Sequence, residues 1–198
     1  MSRHVTRLIR IWLFGIALAS SVPAAFGQQA GGAVANFPWS PDARCKLNPA
    51  RPRGLHPQAY AALQRRAIAH RITQGINHSH EPRNVHDTDG TIDGVDYTGA
   101  VDISVRCLTA SQIQSLLGRL AELGFAGWYR KDGQDDWSGP PHIHAVWVGC
   151  RLKPILRRQV ESWLSGGTGL GSDRPYRFWQ PSAEMKDIVR ALYEKLNR

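Results

Sequence analysis

Apolar and polar positions along the 198-residue chain repeat in two different periods, and the switches between them mark the elements. Over 100–106, Val101, Ile103 and Val105 face one way in an extended chain, and Ala100, Asp102, Ser104 and Arg106 the other. That alternation predicts a strand with an acid fixed at its middle. Residues 125–129 and 142–150 read as further strands, the second placing His142, His144, Val146 and Val148 on one face. Asp93-Gly94, flanked by Thr91-Ile92 and Val95-Asp96-Tyr97, is a two-residue hairpin signal. The helical period takes over at Ile113, Leu116, Leu117, Leu120 and Leu123, which predicts a helix over 111–123 stopped by Gly124. Three more helices are expected. One spans 57–72, opening at Pro57 with Tyr60, Leu63, Ala67 and Ile68 on one face; the others span 154–164, before Gly166-Gly167, and 182–196. No internal repeat is found. Strands with hairpin signals and helices around them predict an α+β domain with one small, mostly antiparallel sheet flanked by helices.

The first residues depart from both periods. Arg3, Arg7 and Arg10 precede an apolar run from Ile11 to Leu18 and small residues ending Ala25-Phe26-Gly27. This order is that of a cleavable signal peptide over 1–27, and the run is shorter than the roughly 20 apolar residues that span a bilayer. Residues 28–56, with Gly, Ala, Pro and Arg and no period, read as a linker and irregular lead-in to a domain over 57–198. Export to the periplasm or medium follows, with no membrane attachment after cleavage. Removing 1–27 takes three arginines from a net charge of +9 and leaves +6. That excess suits an anionic partner such as bacterial cell wall. Like charges do not run beyond pairs such as Arg65-Arg66, which argues against a basic arm for nucleic acid, and no specific nucleic-acid binding is expected.

Cys45, Cys107 and Cys150 follow the signal, so one disulfide and one odd thiol are expected in an oxidising compartment. Cys107 and Cys150 each end a predicted strand, and a bridge between those strands is the expected pairing, with Cys45 left free. No CxxC pair points to a thiolate metal site.

The candidate chemistry lies in His86 on a polar loop, Asp102 on a strand, and the pair His142 and His144 on another strand. Residues two apart on a strand share a side, so both histidines reach one site. Two imidazoles and a carboxylate with an open fourth position form the donor set of a catalytic zinc centre, where bound water becomes acidic enough to supply hydroxide near neutral pH. Each residue also has a plain structural reading: His86 as a surface side chain, Asp102 as an ion pair with Arg106, and the two histidines as a half-buried surface pair. Asp87, Asp89 and Asp93 around Gly90 form a fragment of a calcium loop without its terminal Glu, which Asx-Gly turns also explain.

The segments Tyr97-Thr98-Gly99-Ala100-Val101-Asp102-Ile103-Ser104 and Pro141-His142-Ile143-His144-Ala145-Val146 resemble the two zinc motifs of the superfamily that joins D-alanyl-D-alanine carboxypeptidases, related murein endopeptidases and the Hedgehog signalling domain. The resemblance implies a Hedgehog/DD-peptidase-like fold, one zinc ion held by Asp102, His144 and an upstream His, and peptidoglycan peptides as substrate. The chain departs from that pattern twice. The family's first His lies six residues before the Asp, where this chain has Asp96, so the first ligand is either His86, favoured because nitrogen suits zinc, or Asp96. The family's catalytic Glu is missing too, since no Glu stands between Glu122 and His144; Asp136, Asp135 or His142 is then the proton carrier. Arg106 and Arg83 are candidates for a cation that steadies the oxyanion, and Trp137 for a groove wall. The alternative function is a zinc-holding cell-wall binding module without catalysis.

Overall fold

The computed structural model describes residues 54–78 and 84–197. Helices α1 (Pro57–Arg65), α2 (Ala110–Glu122), α3 (Pro154–Ser165) and α4 (Ala183–Asn197) surround strands β1 (Ile72–Gln74), β2 (Gly90–Ile92), β3 (Val95–Tyr97), β4 (Ala100–Ser104), β5 (Phe125–Arg130) and β6 (His142–Trp147). Four strands make an antiparallel sheet in the order β1-β4-β6-β5, and β2-β3 is a separate hairpin. The fold is α+β with a small antiparallel sheet, as the two periods predict. No helix among the described residues is long and apolar enough to cross a membrane.

The register sorts the side chains into two faces. Val101 lies opposite Ala145, which lies opposite Gly127, and Ile103 opposite Ile143, which lies opposite Tyr129. This face meets α2, whose Ile113, Leu116, Leu117 and Leu120 are buried; each contributes about 1.5–3 kcal/mol of transfer free energy. α2 starts on a capping box, in which Thr109 accepts from the Gln112 N–H while the Gln112 side chain accepts from the Thr109 N–H. The other face carries two rows of polar groups. Asp102 lies opposite His144, which lies opposite Trp128, and Ser104 opposite His142, which lies opposite Arg130. α3 and the segment after it cover this face: Trp128 donates from Nε1 to the Gly167 carbonyl at 2.9 Å.

The predicted first helix is shorter than its pattern. It ends at Arg65, with Ala67 in left-handed backbone at φ 54°. The Ala67 N–H bonds the Gln64 carbonyl and the Ile68 N–H the Leu63 carbonyl, a Schellman stop in which alanine takes the place usually held by glycine. The chain then turns through a 3₁₀ segment (Ala69–Arg71) into β1, a strand that the helical reading had absorbed. The Asp93-Gly94 hairpin forms as expected, with φ of 51° and 75° at its two central residues.

The cysteine pairing differs from expectation. Cys107 is disulfide-bonded and Cys150 is a free, buried thiol, so no bridge joins them. Cys107 lies beyond the end of β4 in left-handed backbone (φ 61°), whereas Cys150 packs against the main chain and donates to the Trp147 carbonyl. Cys45, the signal peptide expected over 1–27 and most of the expected lead-in lie outside the described residues.

Candidate metal centre

Asp102 stands where β4 crosses β6, and three histidines meet one of its oxygens. His144 Nδ1 lies 3.0 Å from Asp102 Oδ1, His86 Nε2 3.1 Å and His142 Nε2 3.7 Å. His86 arrives from the loop before β2. That loop is pinned beside the end of β1, because the Asn77 N–H bonds the His86 carbonyl at 2.7 Å and the His86 N–H bonds Asn84 Oδ1 at 2.9 Å. His86, Asp102 and His144 each offer a ligand atom within 4.8 Å of the others, and this cluster can hold a metal ion. His86 and His144 are buried, and Asp102 keeps 15% of its side chain exposed.

The outer contacts decide which nitrogen faces inward. His86 Nδ1 is 3.0 Å from the Gly75 carbonyl, which can only accept, so Nδ1 carries the hydrogen. His144 Nε2 is 3.1 Å from Gln159 Oε1. The Gln159 amide cannot be turned round, because its nitrogen donates to the Gly169 carbonyl at 3.3 Å. His142 Nδ1 likewise donates to the Pro140 carbonyl at 2.8 Å. In their neutral rings all three imidazoles therefore aim a lone pair at the same carboxylate oxygen. Such an arrangement needs something positive between nitrogen and oxygen, either protons or a cation, and outer acceptors that fix the tautomer are the usual surroundings of metal-bound histidine. The donor set thus fits a divalent ion.

Burial alone would raise the Asp102 carboxyl, but when the inward nitrogens of His144 and His86 carry protons, their hydrogen bonds and charges outweigh it and hold the group below the usual carboxylate range. Burial lowers His144, against the opposing pull of Asp102, which favours the neutral imidazole that a metal requires.

No protein-family model, curated protein or solved structure matches the chain.

A cavity of about 620 Å³ opens over the cluster, lined among others by Gln74, His142, Trp137, Arg130 and Gln159. Trp137 meets the His142 ring edge-on, with centroids 5.1 Å apart. Of the residues singled out from sequence, the structure brings His86, Asp102, His142 and His144 together. Asp96 sits in the β2-β3 hairpin opposite Thr91 and outside the cluster. Asp136 is exposed, pairs with Arg174 and accepts from Ser172, and does not line the cavity. Neither does Asp135. Arg106 is exposed beyond the end of β4, away from the cavity lining, and Arg83 lies outside the described residues. The carboxylate of Asp89 is occupied: it accepts from the Gly99 N–H, the Thr98 hydroxyl and the Lys153 N–H, tying the hairpin to the start of α3.

Two functional candidates escape sequence reasoning. Gln159 lies within α3, and Arg130 is the last residue of β5. Arg130 is 2% exposed, with its guanidinium carbon 5.2 Å from the Trp128 ring centroid. Burial lowers it to about 10, which leaves it cationic at neutral pH. The strand register was the available signal, since Arg130 occupies the same face as Trp128 and stands opposite His142.

Proposed function

We propose that this chain is an exported zinc-dependent peptidase that hydrolyses peptide stems of bacterial cell wall, on a Hedgehog/DD-peptidase-like fold. The observation that carries the proposal is the convergence of His86 Nε2 and His144 Nδ1 on Asp102 Oδ1 in a cavity with room for a peptide. The resemblance of the segments around Asp102 and His144 to wall-peptidase motifs supports the substrate class, and the signal-like order of residues 1–27 supports export.

His86, Asp102 and His144 would hold the ion and leave a position open toward the cavity. When bound, zinc supplies Lewis-acid polarisation of a carbonyl and makes water more acidic. His142 is the proton carrier in this account. Its Nδ1–H is anchored on the Pro140 carbonyl, so Nε2 faces the site and can take a proton from the attacking water and return it to the leaving amine. Asp136 is too well engaged at the surface for that role.

A second reading, a zinc-holding binding module without turnover, is favoured by one observation: among the described residues, no Glu lines the cavity. Incubating the zinc-loaded mature chain with purified muropeptides separates the two. New amino groups that vanish on chelation and return with zinc support the peptidase. Intact stems with one zinc per chain support the module.

A further inference from the structure

We propose that Arg130 is a carboxylate-recognition residue, and that the cavity beside the metal cluster takes peptides ending in a free carboxylate. The inference rests on the peptidase reading for the word peptide; the recognition of an anion comes from the structure of the cavity wall. Arg130 Nη1 and Nη2 are buried and have no hydrogen-bond partner, and neither has Nε1 of Trp137. Both side chains line the same cavity. All three atoms are donors and none can accept, so the complement they need is a group rich in acceptors. Among the described residues the lining contains one acid, Asp102, and its Oδ1 is already faced by three histidines. Stacking on Trp128 and the charges of Tyr176, Asp135 and Asp102, none of which Nη1 or Nη2 meets through a hydrogen bond, are a weak return for desolvating the Arg130 cation. A planar carboxylate matches the guanidinium fork with two parallel bonds, a fit that an amide or ester terminus cannot reproduce.

The three donor atoms are buried as the wall stands, so the wall must move aside locally to admit the ligand. A ligand of this kind would be cut near its carboxyl end, which selects carboxypeptidase action over cleavage inside a cross-link.

The test uses the full mature chain stripped of metal, so that nothing is cleaved and no carboxylate can bind zinc instead. N-acetyl-D-alanyl-D-alanine, its C-terminal amide and inorganic phosphate are titrated calorimetrically. The free acid should bind about tenfold to a hundredfold more tightly than the amide, the range of a charge-assisted bond pair. Arg130→Met should erase the difference, and Arg130→Lys, which keeps the charge and loses the fork, should retain less than tenfold; thermal melts show whether each variant is folded. Equal binding of acid and amide, no binding of either, or an acid preference that persists in a folded Arg130→Met chain overturns the proposal. So does phosphate binding more tightly than the acid. A chain with the acid preference but no turnover when zinc-loaded sinks the peptidase reading and leaves this one standing.

Discussion

His144 is held at Nε2 by Gln159 Oε1, 3.1 Å away on α3, and that contact determines that Nδ1 is the nitrogen turned toward Asp102. The strand sets where the ring sits, and the helix sets how it is protonated. Loss of the amide leaves a buried N–H without an acceptor and lets the tautomer change.

Gln159→Leu is therefore expected to lower zinc affinity about 10- to 100-fold, the usual effect of removing an outer partner of a metal-bound histidine. Competition against a chromophoric chelator measures it. Unchanged affinity would mean that the helix does not orient the ring.

The proton carrier is tested by a pair of variants. His142→Ala should cut turnover on muropeptides about 10²- to 10⁴-fold while zinc content stays near that of the parent chain. Asp136→Asn should change neither, because the carboxylate faces Arg174 and Ser172 at the surface. Loss of turnover in the second variant alone would reverse the assignment.

The cysteines make a separate prediction. Cys107 is bonded and Cys150 is not, and burial pushes the Cys150 thiol well up, away from its reactive form. Alkylation of the native chain should spare Cys150 until denaturant is added, and non-reducing peptide maps should join Cys107 to the remaining cysteine, Cys45. Rapid labelling of native Cys150 would contradict its burial.

Ala67 is exposed and holds left-handed backbone at φ 54° where glycine pays no steric penalty. Ala67→Gly should stabilise the fold by about 1 kcal/mol in urea unfolding. Destabilisation would show that the Schellman stop after α1 is misdescribed.

Much of this was legible in the chain, and the illegible parts share a cause. Asp102 between apolar neighbours and the pair His142 and His144 two residues apart fix their own faces by strand parity, so the heart of the cluster could be read locally. His86 could be named but not placed, because a loop hydrogen-bonded to Asn77 and Gly75 brings it in. β1 was hidden behind a helix stop that lacks glycine. Gln159 and Arg130 carry no local signature, since each acquires its role from what another element sets against it. Arg106 looked well placed by alternation, but β4 ends at Ser104 and releases it to the surface.

The central claim is that His86, Asp102 and His144 bind one zinc ion, and metal analysis of the purified mature chain beside its His144→Ala variant tests it most directly. Two histidines and one carboxylate also suit ferrous iron, so both metals should be quantified. The account predicts close to one zinc per parent chain and little in the folded variant. A parent chain without zinc under zinc-replete conditions, iron in its place, or a variant that retains full zinc would contradict it.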